Sequence, residues 1–429
     1  MKKRRIALLV AVAALVAVVA ATVSPGGNAK SQAKSVSILS LWGGSEKSAF
    51  LKTTAAFTKK TGIKVSYETA RNYEPILRTR VAAGNPPNIA IIPSPAILLS
   101  FAKQGALKDT GKLGLSSSYL NARYNKGLTD LVKYKGKIYG VPAKGNSKSL
   151  VWYRPQDFKK YGLSPAKTWA QLVSLTNKLK AKGQTPWAVG AGDGWPLTDW
   201  FEDIYLRSAG PVKYQQLFTG KVKFTDASVK KALTYFSTLL NNKNVAGGLE
   251  GALGTKFVDG IGQVFGTKPK AQLYVEGGFV GGIATQQVNT KLKPLKTINS
   301  FPFPTINAKY GSKPVVYGGD YVVGFSDSAE VKQFLKYITS SAAGKVWVST
   351  GAVTSPNKTV PLSSYKSPLV RAEAKQLQAS TAIRYDGSDQ LPSDFGADWQ
   401  GALQKIFGKP SSMNSVLSGI QKKADRAFK

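Results

Sequence analysis

Strand and helix patterns alternate along the chain from residue 35 onwards, and this alternation limits the possible folds more than any other feature. VSILSLW (36–42) is a short apolar strand, SAFLKTTAAFTKKTG (48–62) is helical and closes on a glycine, and IKVSYET (63–69) is a second strand. The same order returns in SLVWY, TWAQLVSLTNKLKAKG and TPWAVG between residues 149 and 190. The pattern predicts an α/β fold in which mostly parallel sheets are flanked by helices.

The length and the apolar content indicate how many units the chain forms. It has 429 residues, of which 42% are hydrophobic. That is more than one ordinary core accommodates, so we expect two lobes, each with a buried core.

The absence of two residue types limits the chemistry. The sequence contains no cysteine and no histidine. This excludes the usual zinc sites, thiol nucleophiles, Ser-His-Asp triads and histidine bases, and leaves carboxylates as candidate acid–base groups. We therefore expect no metal and no cofactor.

The charge is strongly unbalanced, with 60 Lys+Arg against 23 Asp+Glu and a formal net charge of +37. After KKRR at the N-terminus the basic residues are scattered, and no nucleic-acid-binding module is recognisable. We interpret them as a solvated basic surface that does not bind nucleic acid, with an anionic membrane surface or cell wall as a candidate partner.

The first residues indicate export. Lys2, Lys3, Arg4 and Arg5 precede the apolar run IALLVAVAALVAVVAATV (6–23). Residues 1–23 are therefore a signal peptide or an uncleaved N-terminal anchor, because the run is long for a signal and short for a membrane span. Residues 24–35 have the small and polar composition of a flexible tether.

The stretch AGDGWPLTDWFEDIYLRSAG (191–210) concentrates acidic and aromatic residues in this basic chain. We predict that Asp193 and Trp195 lie in a loop, and that Thr198 or Asp199 caps a helix beginning near Trp200. Trp200 recurs with apolar neighbours at helical spacing, so we expect it to pack inward.

A longer segment carries a family resemblance. YKGKIYGVPAKGNSKSLVWYRPQDFKKYGLSPAKTWAQL (134–172) resembles the signature region of the extracellular sugar-binding proteins that serve bacterial ABC importers. TGIKVSYE, AAGNPPNIAI, AQLYVEGGFVGG, GGDYVVGF and LPSDFGADWQGALQKIFG extend the resemblance over nearly all of the chain after the tether. GDGWPLTDWFEDIYLR is similar to the α-glucoside-binding branch of that family.

The resemblance implies a two-lobed clamshell of the type II periplasmic-binding-protein class, with several hinge crossings and no enzymatic activity. One lobe would comprise residues 36–143 plus about 308–353, and the other residues 144–307 plus about 354–429. The protein would act outside the cell or in the cell envelope, as a monomer, and would deliver a neutral oligosaccharide to the permease subunits of an ABC transporter.

Sugars present apolar C–H faces and rings of hydroxyls, so a binding cleft combines aromatic platforms with polar acceptors. On this basis, and by their match to family positions, we select a set of candidate ligand-binding residues. They are Trp42, Gly44, Ser45, Glu46, Arg71, Asp193, Trp195, Phe279, Asp320 and Trp399.

Two other functions remain open at the level of sequence. A glycoside hydrolase can work with two carboxylates alone, for which Asp193 and Asp199 are the candidates. A basic protein that binds polyanions or cell-wall polymers would be consistent with the charge.

Overall fold

The computed structural model describes residues 34–70 and 72–429, and Lys34–Lys429 forms one compact unit. The predicted signal or anchor, most of the tether, and Arg71 lie outside the described residues. In the part of the chain that is described, no helix combines the length and the apolar character needed to cross a membrane.

The strands, in chain order, are β1 (Ser35–Ser40), β2 (Lys64–Thr69), β3 (Ile89–Ile92), β4 (Lys133–Tyr134), β5 (Lys137–Ile138), β6 (Val141–Ser147), β7 (Leu150–Tyr153), β8 (Trp187–Ala188), β9 (Leu273–Val275), β10 (Asn299–Pro302), β11 (Val315–Gly324) and β12 (Ile383–Tyr385).

The helices, in chain order, are α1 (Gly44–Thr61), α2 (Tyr73–Ala82), α3 (Pro95–Lys103), α4 (Ser117–Arg123), α5 (Lys126–Asp130), α6 (Pro155–Tyr161), α7 (Trp169–Ala181), α8 (Trp195–Ala209), α9 (Pro211–Phe218), α10 (Ala227–Leu239), α11 (Gly248–Gly254), α12 (Phe257–Phe265), α13 (Phe279–Ile283), α14 (Ala329–Ile338), α15 (Ser341–Ser349), α16 (Pro368–Ala379), α17 (Ser393–Gly408) and α18 (Met413–Ala427). A π-helical turn at Ala284–Val288 continues α13.

The first sheet confirms the strand–helix–strand prediction. Its order is β12-β11-β3-β1-β2, with β6 on the other side of β11. β1 pairs in parallel with β2 and β3, as expected of strands joined by helices. β11 runs antiparallel to β3 and β6, so the whole sheet is mixed.

The second sheet corrects the prediction of a mostly parallel arrangement. Its order is β10-β7-β9-β8, and only the β8–β9 pair is parallel. The reason lies in the path of the chain. It enters this part of the molecule on β7 and leaves it on β10, so these two neighbouring strands run in opposite directions.

The two largest hydrophobic cores of the described chain correspond to the two sheets. The first is built largely from β1, β3, α1, α3 and α14, and the second from β7, α7, α8, α10 and α17. We call them the first lobe and the second lobe. Within the described chain, residues 148–149 and 303–314 join the two sheets, and residues 386–392 join β12 of the first sheet to α17 of the second lobe; we call them the first, second and third connections.

Two details of the sheet pairing bear on the predicted lobe boundaries. The predicted limit at residue 143 falls inside β6, and β12, which was assigned with residues 354–429 to the second lobe, pairs in parallel with β11 of the first. A three-residue strand has little sequence signal of its own, and its sheet is decided by tertiary pairing. We therefore propose that the lobe boundaries lie at the three connections.

Candidate functional site

Three aromatic side chains form a partly exposed wall in the second lobe. Trp195, Phe257 and Phe279 are the first residues of α8, α12 and α13. The ring centroid of Trp195 lies 4.8 Å from Phe257 and 6.2 Å from Phe279, and the two phenylalanines are 5.6 Å apart. Three segments far apart in sequence therefore present one apolar surface, which we call the aromatic wall.

Lys148 adds a cation beside this wall. Its ammonium lies 5.3 Å from the ring centroid of Trp195 and contacts Asp199 at 3.0 Å and Asp386 at 2.5 Å. Burial disfavours the charged ammonium, but Asp199 and Asp386 more than offset this and hold the pKa of Lys148 well above its ordinary value. Lys148 therefore remains a charged donor next to the aromatic wall.

A third carboxyl group, Glu276, lies near Lys148 and Asp199. Burial raises the pKa of Asp199 to about 7, and burial together with Asp199 raises the pKa of Glu276 well above its ordinary value. The two carboxyls also hydrogen-bond to each other, which lowers the pKa of Asp199 and raises the pKa of Glu276. Asp199 and Glu276 have no exposed surface, whereas the side chain of Lys148 keeps 11% exposed, so Lys148 is the polar group of the candidate site that a ligand hydroxyl can reach.

Asp193 supports the aromatic wall. Its Oδ2 accepts a 2.8 Å hydrogen bond from the backbone N–H of Phe257, and its Oδ1 lies 3.2 Å from the ammonium of Lys256. The carboxylate thus joins the segment before α8 to the start of α12. It fixes Phe257 against Trp195, and the side chain keeps 30% of its surface exposed.

In the first lobe the predicted residues form a separate buried network. Trp42 Nε1 donates to Asp320 at 3.2 Å, and Lys144 contacts Asp320 at 3.2 Å and also pairs with Glu46. Trp42 is 1% exposed, and its ring packs against Phe50. Trp42 is therefore a core residue here, whereas Glu46 keeps 20% of its side chain exposed.

Gly44 and Ser45 meet the second lobe directly. Ser45 Oγ accepts a 3.1 Å hydrogen bond from Gln287 Nε2, in the π-helical turn after α13. Gly44 has φ of +50°, and a Cβ there would lie 2.6 Å from Gln287 Nε2. The glycine permits both the backbone conformation and the close approach, so α1 and the end of α13 touch across the cleft between the lobes.

The burial of Trp399 disagrees with its selection as a ligand-binding residue. It is completely buried, and its ring packs against Phe201 and Phe224 at 5.1 and 4.9 Å. Helix α17 turns this residue into the core of the second lobe, away from solvent. Trp399 therefore does not present a surface to a ligand.

The start of α8 also differs from its prediction. The helix begins at Trp195 rather than near Trp200, because Pro196 stands in its first turn, where the missing N–H costs nothing. Trp195 is therefore helical, and Asp193 lies in a 3-10 turn just before the helix. The prediction for Trp200 is confirmed, since it is 1% exposed and packs edge-on against Trp187.

The structure brings in residues that the sequence reasoning did not select. Glu276 and Lys148 directly follow β9 and β6, so the rule that ligands bind at the carboxyl ends of strands would have found both. No sequence pattern marks Phe257 as a site residue, because its position beside Trp195 depends on how α12 packs against α8.

A charged groove of about 680 Å³ lies elsewhere between the lobes. It is lined by Glu74, Arg78, Pro392, Asp394, Phe395, Asp398, Lys423, Arg426 and Ala427. Its lining is dominated by charged side chains, several of which pair with each other. It therefore lacks the broad aromatic surface that the aromatic wall provides.

Comparison with known proteins identifies the family. The model of the bacterial extracellular solute-binding protein family matches residues 43–345. The chain belongs to this family. This solute-binding protein is 34% identical to the osmoprotective compounds-binding protein GgtB of Synechocystis over 93% of its own length and 94% of GgtB. It is 30% identical to the alpha-glucosides-binding periplasmic protein AglE of Rhizobium meliloti, over 91% and 87% of the two chains.

Solved structures confirm the fold of the solute-binding protein. The structure of the bacterial solute receptor AcbH aligns with a TM-score of 0.82 and 20% identity. The alignment covers 92% of this chain and 100% of AcbH. A chitin oligosaccharide binding protein aligns with a TM-score of 0.78 and 21% identity, over 92% of this chain and 98% of its own length. The two-lobed type II α/β architecture is therefore confirmed.

Membership of this family decides between a solute-binding protein, a glycoside hydrolase and a polyanion-binding protein, the three functions that the sequence left open. The family consists of solute-binding proteins that act outside the cell, and the chain is one of them rather than an enzyme. Neither the hydrolase nor the polyanion-binding alternative finds support. The two carboxylates considered for hydrolysis are engaged by protein groups, Asp193 by the Phe257 N–H and Asp199 by Lys148.

Proposed function

We propose that this solute-binding protein captures a neutral oligosaccharide of the α-glucoside class between its lobes and delivers it to an ABC importer. The observation that carries the proposal is the partly exposed aromatic wall beside the charged ammonium of Lys148. Sugar rings stack their C–H faces on aromatic side chains, and their hydroxyls donate to carboxylates and accept from ammonium groups.

Each part of the site has a proposed role. Trp195, Phe257 and Phe279 form the stacking surface, and Lys148 faces the hydroxyls from the second lobe. Charge-assisted hydrogen bonds of this kind are about twice as strong as neutral ones, so they orient the sugar on the wall.

The first lobe would close over the sugar from the opposite side. Ser45 and Glu46 lie at the start of α1, where the lobes touch, and would contribute polar contacts. Gly44 allows α1 to approach the second lobe. Trp42 and Asp320 support Glu46 through Lys144, and we propose for them this positioning role.

The relatives support the choice of ligand class. AglE is named for binding alpha-glucosides, and GgtB for binding osmoprotective compounds. A further solved structure, RafE, contains raffinose and aligns with a TM-score of 0.74. We infer that the ligand is a small oligosaccharide with at least one α-linked glucose.

We further propose that the chain is exported by residues 1–23 and serves as a monomer. If that segment is cleaved, the mature protein is released, and if it is retained, it anchors the protein at the membrane beside the permease subunits. The molecular mass of the mature protein from its native cells distinguishes these two outcomes.

A melting screen tests the proposed ligand. Residues 34–429 are heated with a panel of glucose, galactose, maltose, trehalose, sucrose, raffinose and chitin oligosaccharides. A ligand that binds only the folded state at about 100 times its Kd adds about 2.7 kcal/mol of stability, so an α-glucoside should raise the melting temperature by several degrees. A panel in which no saccharide raises it contradicts the proposal, and so does release of reducing ends on long incubation.

A further inference from the structure

Helix α8 buries four charged side chains, which is costly unless each has a partner. They are Asp199, Glu202, Asp203 and Arg207, and each has no exposed surface. Their spacing of three, one and four residues places them along one side of the helix. Trp195 lies four residues before Asp199, so this charged face begins at the aromatic wall.

The first connection is held by two of these groups. Asp199 accepts from the ammonium of Lys148 at 3.0 Å, and Asp203 accepts from the hydroxyl of Ser149. Lys148 and Ser149 make up the whole of this connection, so both of its side chains are bonded to α8.

The second connection is held at both ends by one guanidinium. Arg207 Nε donates to Phe303 O at 3.2 Å, and its Nη2 donates to Pro314 O at 2.9 Å. Phe303 and Pro314 are the first and last residues of the connection. Arg207 Nη1 also donates to Asp203 at 2.7 Å, which links the second connection to the first.

The third connection is held by backbone hydrogen bonds. Glu202 accepts from the N–H of Gly387 at 2.6 Å and from the N–H of Ser388 at 2.9 Å. The hydroxyls of Thr198 and Ser388 lie 3.1 Å apart. Asp386, at the start of this connection, contacts Lys148 at 2.5 Å, so the third connection is also tied to the first.

We propose that α8 is the pivot of lobe closure and that its charged face sets the balance between open and closed forms. The helix carries Trp195 at one end and holds all three connections along one side. Residues that never touch the ligand thereby govern affinity, because the apparent Kd is the intrinsic Kd divided by the fraction of binding-competent protein. The proposal rests on capture of a solute between the lobes, but not on which solute is captured.

The experiment uses the absence of native cysteine in this chain. Lys60 on α1 and Lys231 on α10 are exposed residues of the first and second lobes. Replacing both by cysteine and attaching spin labels gives an interlobe distance distribution, measured with and without the saccharide found in the melting screen. Glu202→Gln replaces one of the two accepting oxygens by an amide NH2, which then faces a backbone N–H of the third connection. Thr198→Val preserves shape and removes the hydrogen bonds of the Thr198 hydroxyl to Ser388 and to the carbonyl of Trp195.

Tyr205→Phe is the matched control on the same helix. Its hydroxyl contacts Ser228 of α10 at 3.0 Å and reaches no connection. We expect Glu202→Gln and Thr198→Val to change the distance distribution of the ligand-free protein, and Tyr205→Phe to leave it as in the wild type. A roughly tenfold fall in the competent fraction would weaken saccharide binding roughly tenfold.

The proposal is overturned if both test variants keep the wild-type distribution and affinity while only their melting temperatures fall. If Glu202→Gln does not fold, Thr198→Val decides alone. The ligand-free distribution needs no sugar, so a wild type that binds no saccharide would contradict the proposed function and leave this test intact.

Discussion

At the scale of single residues, partial exposure separates ligand candidates from core residues of the same type. Trp195 and Trp200 are five positions apart on α8, but Trp195 is half-buried in the aromatic wall whereas Trp200 is enclosed by Trp187 and Phe303. Trp42 and Trp399 are core residues like Trp200, since both are almost fully buried. Residue type alone therefore does not identify a sugar platform.

Trp195→Ala should weaken binding of the captured saccharide by about ten- to a hundredfold, because it removes the central member of the aromatic wall. Every 1.4 kcal/mol of lost binding energy is a factor of ten. Stability should fall by about 1–2 kcal/mol, from the lost contacts with Phe257 and Phe279. Calorimetric titration and thermal melting measure the two effects separately.

Two tryptophans serve as controls for this variant. Trp169 is also half-buried and packs edge-on against Tyr235, away from the aromatic wall, so Trp169→Ala should retain wild-type affinity. Trp200→Ala should lower stability by about 3–5 kcal/mol, as expected of a core tryptophan, with a smaller effect on affinity. If Trp195→Ala binds the saccharide as tightly as Trp169→Ala, the aromatic wall is not the binding surface.

At the scale of elements, α16 places a buried carboxyl group where both lobes meet. Glu373 accepts hydrogen bonds from the N–H of Ser147, at the end of β6, at 2.7 Å and from the hydroxyl of Thr354 at 2.6 Å. Its carboxyl group also fills the space beside Gly278, where a Cβ would lie 2.1 Å away. The helix thus joins the first sheet to the loop before α13 through a single side chain.

Glu373 should make stability depend on pH. Burial raises the pKa of its carboxyl from an ordinary value of 4.5 to about 7, although the Thr354 and Ser147 hydrogen bonds oppose this. Between these two values the folded state holds the proton and the unfolded state does not. The stability contributed by this group is therefore fully present below pH 4.5 and is lost as the pH rises to about 7.

Glu373→Gln mimics the protonated carboxyl, so it should match the wild type at pH 4.5 and exceed it by about 1–3 kcal/mol at pH 8. Denaturant melts of the two proteins across this range measure the difference. Thr176→Val, which removes a buried hydrogen bond to Trp187 without a titrating group, should lower stability equally at every pH. A constant offset between Glu373→Gln and the wild type would show that Glu373 is ionised throughout.

At the scale of the whole molecule, the net charge of +37 is not used by the candidate site. The aromatic wall adjoins two cations, Lys148 and Lys256, and the ion-pair partners of both are carboxylates. Most of the remaining lysines of the described chain lie on the surface, where their attraction acts over about 8 Å at physiological ionic strength. We infer that this charge keeps the protein near anionic surfaces of the cell envelope and does not contribute to solute capture.

Residues 34–429 should therefore be retained by vesicles containing anionic lipid at about 20 mM salt and released at about 0.5 M, since salt screens exposed charges. Co-sedimentation measures this, with vesicles of neutral lipid as the control. Saccharide affinity should change little over the same range, because a neutral ligand has no net charge to screen. Failure to bind anionic vesicles at low salt would contradict the inference.

The sequence by itself determined the local elements and the fold class. The helix α1 ends where predicted, on Gly62 with a left-handed φ of 72°, and β1 and β2 pair in parallel on either side of it. The inward orientation of Trp200 follows equally from helical spacing. These features depend on residues within one or two turns of each other, so a local pattern contains the information.

The tertiary structure alone decided which side chains meet. Phe257 joins Trp195 from 62 positions away, and Trp399 turns inward because Phe201 and Phe224 surround it. The acidic residues of α8 accept hydrogen bonds from the three connections, and the most distant of these donors, the N–H of Ser388, lies 186 positions after its partner Glu202. No local periodicity records such pairings, because they depend on how helices and strands distant in sequence pack against each other.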